Sequence, residues 1–140
     1  MYLIDTNVIS EARKQDRADP GVSGFFRDAA KSKAALFLSV LTVGELRRGV
    51  ELVRRRGDAP QARLLERWLQ GVLAGFQQQI LGIDADTAQV WGRLRVPDPA
   101  HELDMLIAAT ALVHDLTVVT RNLADFAPAA GLRLLNPFAA

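Results

Sequence analysis

The sequence contains no cysteine and only two histidines, His101 and His114. Without thiols, neither a disulfide framework nor a thiolate zinc site is possible. Two histidines are too few for a His-rich metal site. Any metal is therefore expected to be held by oxygen ligands, which favours Mg²⁺ or Mn²⁺ over zinc. Long apolar runs are also missing: none approaches the roughly 20 residues needed to cross a bilayer. The opening residues lack the basic start and apolar core of a signal peptide, and Asp5 interrupts them at once. A cytoplasmic protein that does not bind a membrane is the expectation. Strong charge of one sign is absent as well, since the formal net charge is +1, so overall charge does not point to a nucleic-acid partner.

The 140 residues suit one domain spanning the whole chain, 1–140, able to bury roughly 70% of its unfolded surface without staples. Charge is uneven along the chain. Residues 41–70 carry seven arginines against Glu45, Glu51, Asp58 and Glu66, a local excess that could attract phosphates or form a solvated helix face laced with ion pairs.

Apolar patterning predicts strands at 1–4, 36–40, 80–83, 116–119 and 132–135. Between them it predicts helices at about 7–13, from Pro20 to 31, from Thr42 to a break at Gly57–Pro60, at 60–76, from an Asp84 cap to Arg95, and at 101–114. A short helix follows the fourth strand. Met105 to Val113 leave almost no polar face, which predicts a buried helix. Strands alternating with helices argue for an α/β three-layer α/β/α sandwich around a mainly parallel five-stranded sheet. Phe76, Trp68 and Leu69 are candidates for a dimer face, although core packing explains them more simply.

Four acids sit at the edges of these elements: Asp5 after the first strand, Glu45 early in the helix after the second, Asp104 at the start of the apolar helix, and Asp125 shortly after the fourth strand. Locally each has an ordinary explanation. Asp5 could cap a helix, Glu45 could complement a helix dipole, and Asp125 could be a turn residue. Together they suggest one pocket, because ligands of an open parallel sheet bind outside the carboxyl ends of its strands. Crowded carboxylates repel, and divalent cations remove that cost while clamping a phosphodiester. Phosphoryl chemistry relies on positioning and charge neutralisation, so no Ser, Cys or His nucleophile is required.

At MYLIDTNVIS, LTVGELRRGV, DMLIAATALVHDLTVVTRNLADF and LLNPF the chain resembles the PIN-domain ribonucleases, in particular the VapC/FitB-like toxins of type II toxin–antitoxin modules. The resemblance implies a PIN-like fold, Mg²⁺- or Mn²⁺-dependent RNA cleavage, a homodimer able to enter larger toxin–antitoxin assemblies, and inhibition by a cognate antitoxin. It further implies that Asp5, Glu45 and Asp104 are the central acidic ligands, with Asp125 as a fourth and Asn122 near it. Thr6, Asn7 and Thr120 take supporting hydrogen-bonding roles. Arg47 and Arg48, close behind Glu45, are the choice for RNA-backbone contacts. His101 and Glu102 stand near Asp104, with His101 expected as a surface residue at a helix start. Two other readings are open: a phosphatase with an aspartyl nucleophile at Asp5, which would want an acid where Asn7 stands, and a catalytically silent module whose acidic pocket holds a partner's arginine.

Overall fold

The computed structural model describes residues 1–139. Five strands, β1 (Tyr2–Ile4), β2 (Leu36–Ser39), β3 (Ile80–Leu81), β4 (Thr117–Val119) and β5 (Leu134–Leu135), alternate with seven helices: α1 (Thr6–Ala12), α2 (Pro20–Ser32), α3 (Val40–Arg55), α4 (Ala59–Gly75), α5 (Ala85–Leu94), α6 (Glu102–His114) and α7 (Leu123–Phe126). A single 3₁₀ turn at Gln15–Arg17 links α1 to α2. The sheet order is β3-β2-β1-β4-β5 and every pairing is parallel. The expected α/β sandwich is therefore present.

Alternation along the central strands divides the core in two. Leu3 and Val118 face one layer, where they meet Met105, Ile107 and Ala108 of α6 and Phe126 of α7. Ile4 and Val119 face the other, where they meet Val8 of α1, Val22 of α2, Leu46 and Val50 of α3 and Leu69 of α4. Leu69 is only 1% exposed, and Trp68 and Phe76 pack against the same cluster. Core packing therefore accounts for Leu69, which has no surface left to offer a dimer.

Caps set the helix boundaries. Asp19 receives the amides of Gly21 and Val22, with Pro20 fixing the first turn of α2. Helix α3 begins at Val40 rather than Thr42, because the Ser39 side chain accepts the Leu41 amide at 3.0 Å and so ends β2 directly in a helix. Glu45 consequently lies in the second turn of α3, not the first. Helix α6 is buried from Met105 and from Ile107 to Ala111, but its ends emerge: Leu103 is 53% exposed and Val113 is also exposed. Its apolar character covers the buried centre, and α5 packs along it. Among the described residues, no helix is long and apolar enough to cross a membrane.

Candidate active site

The parallel register of β1 and β4 pairs Ile4 with Val119. One residue further on, Asp5 and Thr120 leave their strands side by side at the carboxyl edge of the sheet. Both are buried, Asp5 at 5% exposure and Thr120 at 0%. A buried carboxylate requires hydrogen-bond donors, and three converge here. Thr120 Oγ1 donates to Asp5 Oδ2 at 2.8 Å, Asn7 Nδ2 donates to the same oxygen at 3.2 Å, and the Thr6 amide donates to Oδ1 at 2.8 Å. Asn7 also fastens the other side of the cleft, accepting the Arg121 amide on Oδ1 at 3.0 Å. The Asn122 amide donates to Thr120 Oγ1 at 3.0 Å. The DTN triplet thus ties the start of α1 to the turn after β4.

Glu45 reaches the cluster across α1: Thr6 Oγ1 donates to its Oε1 at 3.0 Å. Partial loss of water raises the Glu45 carboxyl above its ordinary value. The Thr6 hydrogen bond opposes this shift and the Asp5 charge adds to it. Asp104, in the first turn of α6, is raised for the same leading reason, with repulsion from Asp5, Asp125 and Glu45 added and His101 acting in the opposite direction. The other three acids therefore all act on Asp104, although they come from α1's cap, α3 and α7. The structure brings together Asp5, Glu45, Asp104 and Asp125. Thr6, Asn7 and Thr120 bond directly to the carboxylates. Asn122 contributes its amide to Thr120, and its side chain does not cap α7.

One nearby residue was underestimated from sequence. His101 does stand at a helix start with an exposed side chain, but its Nδ1 lies 4.0 Å from Asp104 Oδ2 and 3.9 Å from Asp125 Oδ1. Ligand atoms of His101, Asp104 and Asp125 fall within 4.8 Å of one another. The signal available in the sequence was its spacing of three from Asp104 on a helix, which puts both on one face. Glu102 turns away, its carboxylate exposed and 3.8 Å from Arg95.

The arginines behind Glu45 have separate fates. Arg47 spans two helices in a bidentate pair with Glu66 of α4, at 2.7 and 2.8 Å, and also reaches Glu51 at 3.1 Å. These partners raise the Arg47 pKa and hold Glu66 far below the usual carboxylate range. Arg54 adds a pair with Glu51 and one with Glu66. Arg47 is thus engaged in joining α3 to α4 rather than free to meet a phosphate. Arg48 is exposed.

The cationic surface beside the acids lies elsewhere. A groove of about 230 Å³ starts at Thr6 and Glu45 and runs past Arg13 to Trp68. It continues into a wider one of about 700 Å³ lined by Arg13, Lys14, Arg17 and Trp68. The Arg13 guanidinium stands 6.0 Å from the Trp68 ring centre. No acidic side chain lines the wider groove.

The donor set suits a divalent cation. It consists of carboxylates with no thiolate, and loss of water, with mutual repulsion added, has already raised two of them. A bound cation would cancel that repulsion, while the buried Asp5 is fixed by three hydrogen bonds that leave Oδ1 with a free lone pair to receive it.

Comparison with known proteins agrees with this geometry. The PIN domain family model matches residues 2–131. The chain is 35% identical to the plasmid stability protein StbB of Pseudomonas syringae pv. tomato, covering 100% of both chains. It is 35% identical to the toxin FitB of Neisseria gonorrhoeae, covering 99% of both. It is 32% identical to the VapC ribonuclease Y4jK of Sinorhizobium fredii, covering 99% of this chain and 98% of that one. Among solved structures, FitAcB from Neisseria gonorrhoeae superposes with a TM-score of 0.82 at 32% identity over 100% of both chains. With a family match over nearly its whole length and an acidic cleft at the sheet edge where its motifs predict one, the chain belongs to the PIN-domain family.

Proposed function

We propose that this protein is the toxin of a type II toxin–antitoxin pair and an Mg²⁺- or Mn²⁺-dependent endoribonuclease acting in the cytoplasm. The observation that carries the reading is the convergence of four carboxylates: Asp104 is raised first by loss of water and then by the charges of Asp5, Asp125 and Glu45. The similarity to FitB and to a VapC ribonuclease supports the toxin and ribonuclease assignments.

Asp5, Glu45, Asp104 and Asp125 would hold the cation. When bound, it supplies neutralisation of phosphodiester charge and activation of a water. Thr120, Asn7 and the Thr6 amide keep Asp5 in one orientation, and the Thr6 hydroxyl does the same for Glu45. Preorganisation of this kind removes reorganisation cost from the chemical step. Arg13 and Arg17 are suited to hold the RNA backbone along the groove that leaves the site, with Arg48 as a further contact, whereas Lys14 is paired with Glu11 at 2.8 Å.

A partner's guanidinium would satisfy the same crowded carboxylates, which gives an antitoxin a direct route to inhibition. Solved relatives at 32% and 30% identity are the FitAcB structure and FitAB bound to a DNA fragment, which supports a complex with an antitoxin; the proposed assembly pairs two copies of the toxin within it. An aspartyl phosphatase fits less well. The position two residues after Asp5 holds an amide donor bonded to Asp5 itself, and three hydrogen bonds restrain Asp5 from attack.

The test is cleavage of defined RNAs with Mg²⁺ or Mn²⁺ by the wild-type protein and by Asp104→Asn. Equal cleavage by the two would refute the assignment.

A further inference from the structure

The acidic centre has a nitrogen donor at one end. His101 occupies the position just before α6 with φ 59° and ψ 47°, a left-handed conformation that non-glycine residues seldom adopt. The segment leading to it is fastened from α5. Arg95 donates to the Pro99 carbonyl through Nε at 3.3 Å and Nη2 at 3.1 Å, and Trp91 Nε1 donates to the Glu102 carbonyl at 3.0 Å. The Ala100 amide is closed onto Asp98 Oδ1 at 2.9 Å. Helix α6 then starts from the His101 carbonyl, which accepts the Met105 amide at 2.9 Å. The backbone on both sides of His101 is therefore held, and its ring lies on the side of Asp104 and Asp125.

Nδ1 is 3.9 and 4.0 Å from one oxygen of each carboxylate. These separations are too long for hydrogen bonds. Two ligands at about 2.1 Å from one metal lie about 3.0 Å apart at right angles and about 4.2 Å apart when opposite, so the three groups are near enough to close onto one ion with a small inward movement of the exposed His101 ring. A direct hydrogen bond would be the ordinary end of a histidine beside two aspartates; here Nδ1 bonds to neither and faces both, which leaves it free to ligate.

We infer that His101 is a nitrogen ligand at the Asp104–Asp125 end of the centre, and that it shifts the centre's preference from Mg²⁺ toward later first-row cations. The inference rests on the metal-dependent reading above. Imidazole favours those ions, whereas carboxylate and water favour Mg²⁺. An all-carboxylate centre would keep the ordinary oxygen-ligand preference; one imidazole makes the two classes of ion distinguishable.

The experiment is calorimetric titration of the folded protein with Co²⁺ and separately with Mg²⁺, in the wild type, His101→Gly and His114→Gln. Glycine keeps the left-handed backbone without strain, and exposure of His101 makes the variant safe for folding. His114, at the far end of α6, controls for binding by the second histidine. Pulsed EPR of the Mn²⁺-loaded protein reads nitrogen coupling directly. The expected result is that His101→Gly loses about tenfold or more in Co²⁺ affinity while Mg²⁺ affinity moves by less than about threefold. Nitrogen coupling is expected in the wild type and in His114→Gln, and absent in His101→Gly. If the wild type binds both ions and His101→Gly leaves their ratio and the nitrogen signal unchanged, the inference is overturned and the acidic centre stands. If the wild type binds neither ion, the metal centre itself falls, and this inference with it.

Discussion

Thr120 Oγ1 donates a hydrogen bond of 2.8 Å to Asp5 Oδ2 across 115 positions of sequence, and both residues are buried. The register of β1 against β4 makes the contact possible, because it carries both residues off the sheet at the same level. Thr120→Val keeps the shape of the side chain and deletes the donor. It leaves one buried carboxylate oxygen with only the Asn7 amide and removes the acceptor of the Asn122 amide. The expected cost is about 1–3 kcal/mol of unfolding free energy, measured by urea denaturation. Metal affinity should fall about 10–100-fold, as for other residues that orient ligands.

The pH dependence of the metal-free site follows from its two raised carboxyls. Asp104 and Glu45 have folded-state values above 3.8 and 4.5. Between those values and the raised ones the folded state binds more protons than the unfolded state, so stability falls as pH rises through that window. The penalty persists above that window. A cation must displace the protons held in that window, so its apparent affinity should weaken as pH is lowered into it. Asp104→Asn should flatten the metal-free stability profile there. Thermal unfolding of both proteins at a series of pH values without metal reads this; an unaltered profile in the variant would contradict a raised Asp104 carboxyl.

The groove and the α3–α4 clasp give opposite expectations for arginine substitutions. Arg13→Ala with Arg17→Ala should weaken single-stranded RNA binding and reduce the steepness of its salt dependence by roughly 1.4 in logarithmic slope, if each neutralises one phosphate. Arg47→Ala should leave that slope unchanged and lower thermal stability instead, because it releases Glu66 and Glu51. The pairs it breaks hold depressed carboxylates, so the wild type's advantage is present above their unfolded value and is lost as pH falls through the folded one. Salt titrations of RNA affinity on the two variants decide between groove and clasp.

Two glycines of α2 differ in what surrounds them. A β-carbon at Gly21 would fall 2.1 Å from the Pro137 carbonyl oxygen and 2.7 Å from the Ala139 amide nitrogen, whereas one at Gly24 meets only Arg27 Nη2 at 3.5 Å. Asp19 Oδ1 also accepts the Ala139 amide at 2.9 Å, and the Arg121 guanidinium stands 4.6 Å from the Phe138 ring centre. The C-terminal segment is thereby strapped between α2 and the residue that follows Thr120. Gly21→Ala should cost about 1–3 kcal/mol through overpacking. Gly24→Ala should be neutral or stabilise by up to about 1 kcal/mol, through helix propensity alone. Chemical denaturation of the two variants provides the comparison.

Much of this was legible in the sequence because the signals were strong and local. Short apolar runs bounded by polar residues marked β1 and β4, and Asp19-Pro20 marked the start of α2 to the residue. The four acids could be assigned to one sheet edge because parallel topology sends every strand's carboxyl end there. Other features depended on tertiary pairing. Ser39 closed β2 into α3 earlier than Thr42 suggested, since capping competes at that boundary. Arg47 looked free because its partner Glu66 lies on another helix, 19 positions away. His101 looked peripheral because Asp125, its second neighbour, arrives from α7.

The central claim is that the four carboxylates form a cation-dependent nuclease centre. The most direct measurement is cleavage of a defined RNA by the purified protein with Mn²⁺, with excess EDTA, and with Asp104→Asn in place of the wild type. The account predicts cleavage only in the first case, with Asp104→Asn at least about a hundredfold slower although folded by circular dichroism. Cleavage that survives EDTA, or a folded Asp104→Asn that cuts at the wild-type rate, would contradict it.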